Sequence, residues 1–396
     1  MTPHTLALAI EGLTTLLAIA SIGYLAVAWV AARLFLREHR HPVVSPPPSI
    51  TILKSLKGLD PGMLDAFRSH CRQTYSGSYE LLFGVSTLSD PAAAAVLDLQ
   101  REFPNLSIRL VECPQNLGTN GKVSTLIQLV PHAQHEILLV NDSDITVSPH
   151  YLERIIAGFA APEPNPSIAA RPVGLVTALY RGRAHGTLAS RLEALTISTA
   201  FQPSVLLAKV LERGLHYGLG STLAVRRQAL DAIGGFPALA DQLADDYELG
   251  ARVDRSGFRI VLSHEVVETS VPAYNWRSFF DHQLRWLRTV RDARPGGYIG
   301  LLFTHTFALA LLNAIASGLS PLSLWLLGLA FFLRLTVAMT AGALILADHQ
   351  VLPSLWLLPL NDVIAFALWA AGFASDTIVW RGHRFHVRNG RLYPAN

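Results

Sequence analysis

Cysteine is nearly missing from this chain of 396 residues: Cys71 and Cys113 are the only two. They lie far apart, in neither a C-x-x-C nor a Cys/His cluster, which excludes a disulfide framework and a structural zinc site of the usual spacing. Charge is scarce too, at 15% of residues, where a soluble globular domain carries about a quarter. With 51% hydrophobic residues and a mean hydropathy of +0.33, part of the chain must sit in lipid. Nor does one sign dominate: 32 basic and 29 acidic residues give a net charge of +3. That balance excludes a nucleic-acid binder working through a general basic field, so no nucleic-acid partner is expected. Internal repeats and low-complexity tracts are absent.

The longest apolar run near the start, Leu13 to Phe35, exceeds the roughly 20 residues needed to span a bilayer. It is too long for a signal-peptide core and no small-x-small cleavage site follows it, so residues 1–40 read as an uncleaved anchor. Arg33, Arg37, His39 and Arg40 close its far end, which places the next segment in the cytoplasm by the positive-inside rule. A proline-rich stretch, V-S-P-P-P-S, marks a stiff linker over 41–48. Beyond it, Ser49–Lys54, Tyr79–Ser86, Ser107–Glu112 and Glu136–Val140 are short apolar or β-branched runs. Helix-like segments between them begin at Asp60-Pro61, Asp90-Pro91 and Gly121-Lys122. This alternation predicts an α/β domain over 49–298 with a parallel sheet and a ligand beyond the carboxyl ends of its strands. Three further apolar stretches, Leu301–Gly318, Leu322–Ala347 and Leu352–Val379, predict about three membrane helices over 299–380, ahead of a basic tail, 381–396. One of them could be re-entrant. Arg334, Asn361 and Asp362 fall within these stretches and read first as packing or headgroup contacts.

Three polar clusters could carry chemistry. Asp142 and Asp144, in L-L-V-N-D-S-D-I, flank one small residue at a strand end and in extended chain would point the same way, toward one hard cation whose shell diphosphate oxygens complete. A solvated turn is the plainer alternative. Asp245-Asp246-Tyr247-Glu248 precedes a helix-like run and reads either as a cap or as a loop bearing a general base. His282-Gln283-Leu284-Arg285-Trp286, with Arg288 and Arg291, is a basic helix face suited to anionic lipid or to a leaving diphosphate.

The ordered set S-D-P, N-D-S-D, A-D-D-Y and x-x-R-W, between one anchor and several spans, resembles the ceramide glucosyltransferase family of inverting, membrane-bound glycosyltransferases of GT-A (Rossmann-like) fold, and within it the bacterial branch that includes hopanoid-associated sugar transferases. The similarity runs from about Ser49 to Tyr298. It implies a cytosolic GT-A domain, a UDP-sugar donor, a lipid acceptor such as ceramide or a hopanoid, and a divalent cation, Mg or Mn. It also implies that Asp90 helps bind the nucleotide and that Asp142 and Asp144 hold diphosphate and metal. Asp246 would be the catalytic base, Arg285 and Trp286 would close on diphosphate and sugar, and Lys122 would lie near the nucleotide. Two positions depart from the family pattern: His282 stands where Gln or Arg is usual, and Gln202 where a histidine before proline is common. A processive polysaccharide synthase and a catalytically silent scaffold that binds a nucleotide sugar are the alternative readings.

Overall fold

The computed structural model describes residues 2–38, 42, 44–163, 169–380, 383–388 and 390–394. His39 and Arg40 of the anchor's basic end, His41 and Val43 of the linker, and Arg381, Gly382, Asn389, Ala395 and Asn396 of the tail lie outside the described residues. The chain divides into two compact units, each assembled from separated segments: Met1–Glu38, Arg181–Leu211 and Val271–Val387 form one, and His39–Tyr180, Glu212–Ser270 and Arg388–Asn396 the other.

The first unit is helical. Its opening helix, Pro3–Arg37, has 35 residues, with Thr2 as N-cap accepting from Thr5 N–H. Ala18, Ala28, Ala31 and Ala32 are buried along it, small residues that let a neighbouring helix approach closely; Ala18 packs with Ala310 and Ala330. Among the described residues four helices are long and apolar enough to cross a membrane: Pro3–Arg37, Leu188–Leu211, Pro321–Ile345 and Leu352–Ala371. The stretch expected as a span over Leu301–Gly318 is instead a pair, Pro295–Thr304 and Thr306–Ala316, bent by 64°. Leu188–Leu211 is an addition that the apolar-run reading passed over, because Arg191 and Glu193 interrupt it. The polar residues inside these helices pair with one another, as the packing reading requires. The Arg334 guanidinium donates from Nε to both Asp362 oxygens at 3.1 and 3.0 Å, from Nη1 to the Thr199 carbonyl at 2.7 Å and from Nη2 to Thr199 Oγ1 at 3.0 Å. Thr196 Oγ1 donates to Asn361 Oδ1 at 3.0 Å.

The second unit holds nearly all of an eight-stranded sheet. Its strands are β1 (Ile50–Ser55), β2 (Tyr79–Val85), β3 (Ser107–Glu112), β4 (Ile137–Val140), β5 (Ile145–Thr146), β6 (Val173–Ala184), β7 (Leu223–Arg226) and β8 (Arg259–Val271), in the order β3-β2-β1-β4-β7-β6-β8-β5. The expected parallel arrangement covers β3, β2, β1 and β4. Beyond them the sheet is mixed: β7 runs antiparallel to both β4 and β6, and β5 antiparallel to β8. β1 and β4 are buried almost throughout, as parallel strands covered on both faces must be. Helices Pro91–Glu102 and Gly121–Leu129 start where the sequence places them, capped by Asp90 and Asn120; the helix expected from Pro61 starts at Met63 behind Gly62. Gly84 in β2 lets the helix Gly121–Leu129 lie close, since a Cβ there would come within 2.5 Å of Thr125 Cγ2. The carboxyl ends of β1, β2 and β4 share one edge, and the pairing of Val140 with Leu223 brings the Gly218–Thr222 loop beside the end of β4.

A buried ion pair costs most when only one partner is removed. Asp362→Ala should therefore destabilise the detergent-solubilised protein by roughly 3–5 kcal/mol, whereas Arg334→Met combined with Asp362→Leu should cost less, its remaining loss being the Thr199 carbonyl and hydroxyl left without the Arg334 donors. Thermal unfolding of both variants checks this; equal losses would contradict it.

Candidate active site

Past β4, Asn141 is buried and donates to Tyr151 OH at 2.7 Å and to the Ser221 carbonyl at 3.1 Å, which fixes where the chain leaves the sheet. Asp142-Ser143-Asp144 then forms a turn between β4 and β5 rather than an extended segment. The two carboxylates consequently end on different partners. Asp142 Oδ1 accepts from Lys122 Nζ at 2.7 Å, while Asp144 Oδ2 accepts from Thr269 Oγ1 at 2.5 Å and from Ser270 N–H at 3.1 Å. Ser143 Oγ donates to Asp60 Oδ2 at 2.5 Å, pinning the middle of the turn.

Under this turn lies a residue that sequence reasoning missed. Lys54, on β1, is fully buried and donates from Nζ to the Asp142 carbonyl at 3.0 Å. Burial pushes its ammonium down to about 7, against the opposing pull of Asp144 and Asp142. Its position inside an apolar strand, S-I-T-I-L-K, was the available signal. Lys122 shows the opposite balance: burial works to lower it, but Asp142, Asp245 and Asp246 outweigh that and hold it above the ordinary lysine value. Asp144 is pushed up to about 6, first by burial and then by Asp142, with the Thr269 hydrogen bond opposing.

The second acidic cluster opens the helix Asp245–Arg255. Ala244 occupies the N-cap position with no side-chain cap bond, so neither aspartate serves as the cap; both lie in the first turn, where the helix dipole favours negative charge. Asp245 Oδ2 lies 3.4 Å from Lys122 Nζ, and Asn120 Nδ2 donates to Asp245 Oδ1 at 3.2 Å and to the Gln242 carbonyl at 2.8 Å. Asp246 is half-buried and accepts at Oδ1 from Tyr247 N–H at 2.8 Å. Burial, then the Asp245 carboxylate, raises it above the usual carboxylate range, with Lys122 opposing.

The glycines ahead of this cluster now have a reason. A Cβ on Gly220 would lie 2.7 Å from Asp246 Oδ2, and one on Gly250 would collide with the backbone nitrogen of Gly218. The Gly218–Thr222 loop and the helix Asp245–Arg255 touch backbone to backbone. The chain's last segment backs the same region: Leu243 N–H donates to the Gly390 carbonyl at 2.9 Å, and Leu392 N–H to the Asp241 carbonyl at 3.1 Å. Composition alone gave the tail only a basic character, because such backbone pairing leaves no mark on it.

Asp90 caps the helix Pro91–Glu102 through Ala92 N–H at 2.9 Å, and its two oxygens accept from Gly58 N–H at 3.0 and 3.1 Å. It thereby clamps the loop after β1 to the loop after β2. Lys122, Asp142, Asp144, Asp245 and Asp246 meet in this unit; Arg285 and Trp286 belong to the helical one, on the helix Trp276–Ala293. There His282 takes the place of the usual Gln or Arg. Its Nδ1 lies 2.5 Å from Tyr274 OH and its Nε2 3.4 Å from Arg285 Nη2. Burial, and then the Arg285 cation, push its imidazole down to about 3, so it stays neutral. Gln202 is fully buried, and neither amide atom has a hydrogen-bond partner among the described residues.

No group of three or more His, Cys, Asp or Glu that could hold a metal forms among the described residues. Asp142, half-exposed, and Asp144 nonetheless supply hard oxygen donors of the kind that hold Mg or Mn through one or two carboxylates, with diphosphate oxygens finishing the shell.

The sequence profile of glycosyl transferase family 21 matches residues 13–393. Ceramide glucosyltransferase 3 of Caenorhabditis elegans is 21% identical over 98% of this chain and 83% of its own length. Beta-monoglucosyldiacylglycerol synthase of Trichormus variabilis is 25% identical over 68% of this chain, which spans 54% of that relative. Among solved structures, the Pyrobaculum calidifontis mannosyltransferase PcManGT, in complex with GDP-Man and Mn2+, superposes with a TM-score of 0.55 at 19% identity, covering 92% of this chain and 98% of that one. The likeness extends to an α/β fold of the GT-A type.

The glycine contacts separate two effects. Gly250→Ala must move backbone and should cost about 3 kcal/mol, read as a lower unfolding temperature. Gly220→Ala meets only the end of the Asp246 side chain, so it should leave that temperature nearly unchanged while sugar transfer drops at least tenfold. Unchanged transfer in Gly220→Ala would contradict the placement of Asp246.

Proposed function

The chain belongs to glycosyl transferase family 21, and from that premise we propose that it moves a hexose from a UDP-sugar to a lipid hydroxyl, of ceramide, hopanoid or related type, with inversion at the anomeric carbon. The observation that carries this reading is the gathering of Asp142, Asp245 and Asp246, from loops about a hundred residues apart, around the one Lys122 ammonium at the carboxyl edge of the sheet. Carboxylates held this close need a cation, and a nucleotide diphosphate with its metal fits the edge where α/β sheets bind ligands.

In the proposed reaction Asp246 takes the acceptor hydroxyl proton as the oxygen attacks the anomeric carbon, and the bond to UDP breaks on the opposite face. Its raised proton affinity suits a base better than an ordinary carboxylate would. Lys122 and Arg285 would neutralise charge on the departing diphosphate, and preorganised donors of this kind are worth on the order of 3 kcal/mol each. A divalent ion held by Asp142 and Asp144 would supply further charge neutralisation on the diphosphate. Asp90 would hold the loops that shape the nucleotide site, and Trp286 would face the sugar. The membrane helices suit a lipid acceptor whose tail stays in hydrocarbon. The sugar-transfer unit would face the cytoplasm, at the inner membrane of a bacterium.

With labelled UDP-glucose or UDP-N-acetylglucosamine and a lipid extract, product mass spectrometry should show one sugar on a lipid. Asp246→Asn should lower turnover by at least about 100-fold with UDP affinity nearly unchanged, whereas Asp144→Ala should weaken UDP binding in the presence of Mn2+. Wild-type turnover in Asp246→Asn would remove the base assignment. The pH profile gives a second check. A base must be ionised, and Asp246 is raised, so at saturating metal and donor kcat should fall with decreasing pH along a limb of unit slope centred above the ordinary aspartate value of about 4. A flat profile down to pH 4.5 would contradict it.

A further inference from the structure

Within the helical unit, Glu193 is a charge for which the reaction above has no use. It lies on the otherwise apolar helix Leu188–Leu211 and its residue is only 7% exposed. A carboxylate so placed costs several kcal/mol unless it is paired and hydrogen-bonded. Gln283 Nε2, two residues before Arg285, donates to Glu193 Oε2 at 3.0 Å, and the neutral His282 packs beside the carboxylate, its Nε2 3.7 Å from Oε1. His282 in turn reaches Arg285 Nη2 at 3.4 Å.

The same helix touches the motif a second time, through Phe201, whose ring lies 5.8 Å from that of Trp286. Residues 193 and 201 are eight positions apart, which on a regular helix would separate them by about 80° around the axis. Between them, Ile197–Phe201 forms a π turn. The extra residue of such a turn reduces the separation to about 20°. The π turn therefore brings Glu193 and Phe201 onto one face. It also leaves backbone to be satisfied, and Arg334, anchored on Asp362, donates to both the carbonyl and the hydroxyl of Thr199 inside it.

We propose that Glu193 is a positioning residue that orients Arg285, its charge acting on the guanidinium and its hydrogen bond to Gln283 fixing the helix turn that bears it, on a helix whose π turn, clamped by Arg334, sets Trp286 through Phe201. This rests on the reading of Arg285 as a ligand of the departing diphosphate. Arg285 has a long, rotatable side chain, and a fixed carboxylate nearby, with His282 Nε2 accepting from the guanidinium at 3.4 Å, removes freedom it would otherwise lose on meeting the diphosphate.

Glu193→Gln keeps the shape and an acceptor for Gln283 but removes the charge. It should lower kcat about tenfold with the lipid KM unchanged within a factor of two, and Glu193→Asp should recover part of that loss. Gln283→Leu should resemble Glu193→Gln. The decisive readout is a double-mutant cycle: in an Arg285→Ala background, Glu193→Gln should cause no further loss, since its effect passes through Arg285. Independent, multiplying losses would overturn the proposal, as would wild-type kcat in Glu193→Gln with its unfolding temperature intact. If Arg285→Ala itself retains full activity, the diphosphate reading of Arg285 fails, and that result is separate from any outcome at Glu193.

Discussion

One ammonium organises the carboxyl edge of the sheet. Lys122 Nζ sits 2.7 Å from Asp142 and 3.4 Å from Asp245, and it also feels Asp246. At about 4 Å an ion pair is worth some 4 kcal/mol even at an effective dielectric near 20, so the lysine offsets much of the repulsion among the carboxylates, though at Asp246 the neighbouring Asp245 outweighs it. Without it, the turn after β4 and the first turn of the helix Asp245–Arg255 would repel one another. With it, segments distant in sequence share one small volume, and the raised proton affinity of Asp246 follows first from its burial there and then from the Asp245 carboxylate beside it.

That crowding needs close backbone approach, which the glycines supply. A side chain at Gly218 or Gly250 would separate the loop from the helix, and one at Gly220 would displace the Asp246 carboxylate. Asn120 adds a polar tie from the start of the helix Gly121–Leu129 to the Gln242 carbonyl and Asp245, and the Gly390 and Leu392 pairings close the loop from behind. Lysine, glycines and asparagine thus act on the same few residues by three different means: charge, absence of bulk and hydrogen bonding.

Much of this was legible in the chain. The apolar runs Tyr79–Ser86 and Glu136–Val140 marked strand ends ahead of Asp90 and Asp142, Asp-Pro marked a helix start at Pro91, and the anchor was plain from its length. What escaped has physical causes. Lys54 and Glu193 are charges inside apolar segments, so each lowered the apolar signal of its element instead of announcing a partner. Asp142 and Asp144 were expected to point the same way because alternation governs extended chain; Ser143 bonded to Asp60 turns the chain instead, and side-chain direction in a turn has no period to read. The antiparallel half of the sheet went unread: β7 and β5 are only four and two residues long, and the longer β6 and β8 lack the alternation with Asp-Pro helix starts that marked the parallel half.

The helical unit follows a different logic from the sheet. In lipid there is no water to satisfy a displaced backbone group, so a π turn survives only where protein supplies the donor. Arg334 supplies it at Thr199, and the guanidinium is itself tolerated there only because Asp362 is beside it. The buried ion pair is therefore poorly described as a stabilising contact, since two well-packed apolar residues could hold the helices together as well. What apolar residues would not do is donate to the Thr199 carbonyl and hydroxyl inside the π turn, as Arg334 does. Without the extra residue of that turn Glu193 and Phe201 would face different ways along one helix. On this argument the Arg334–Asp362 pair holds an irregularity in the helix Leu188–Leu211, and that irregularity turns Glu193 and Phe201 toward the helix that carries Arg285 and Trp286.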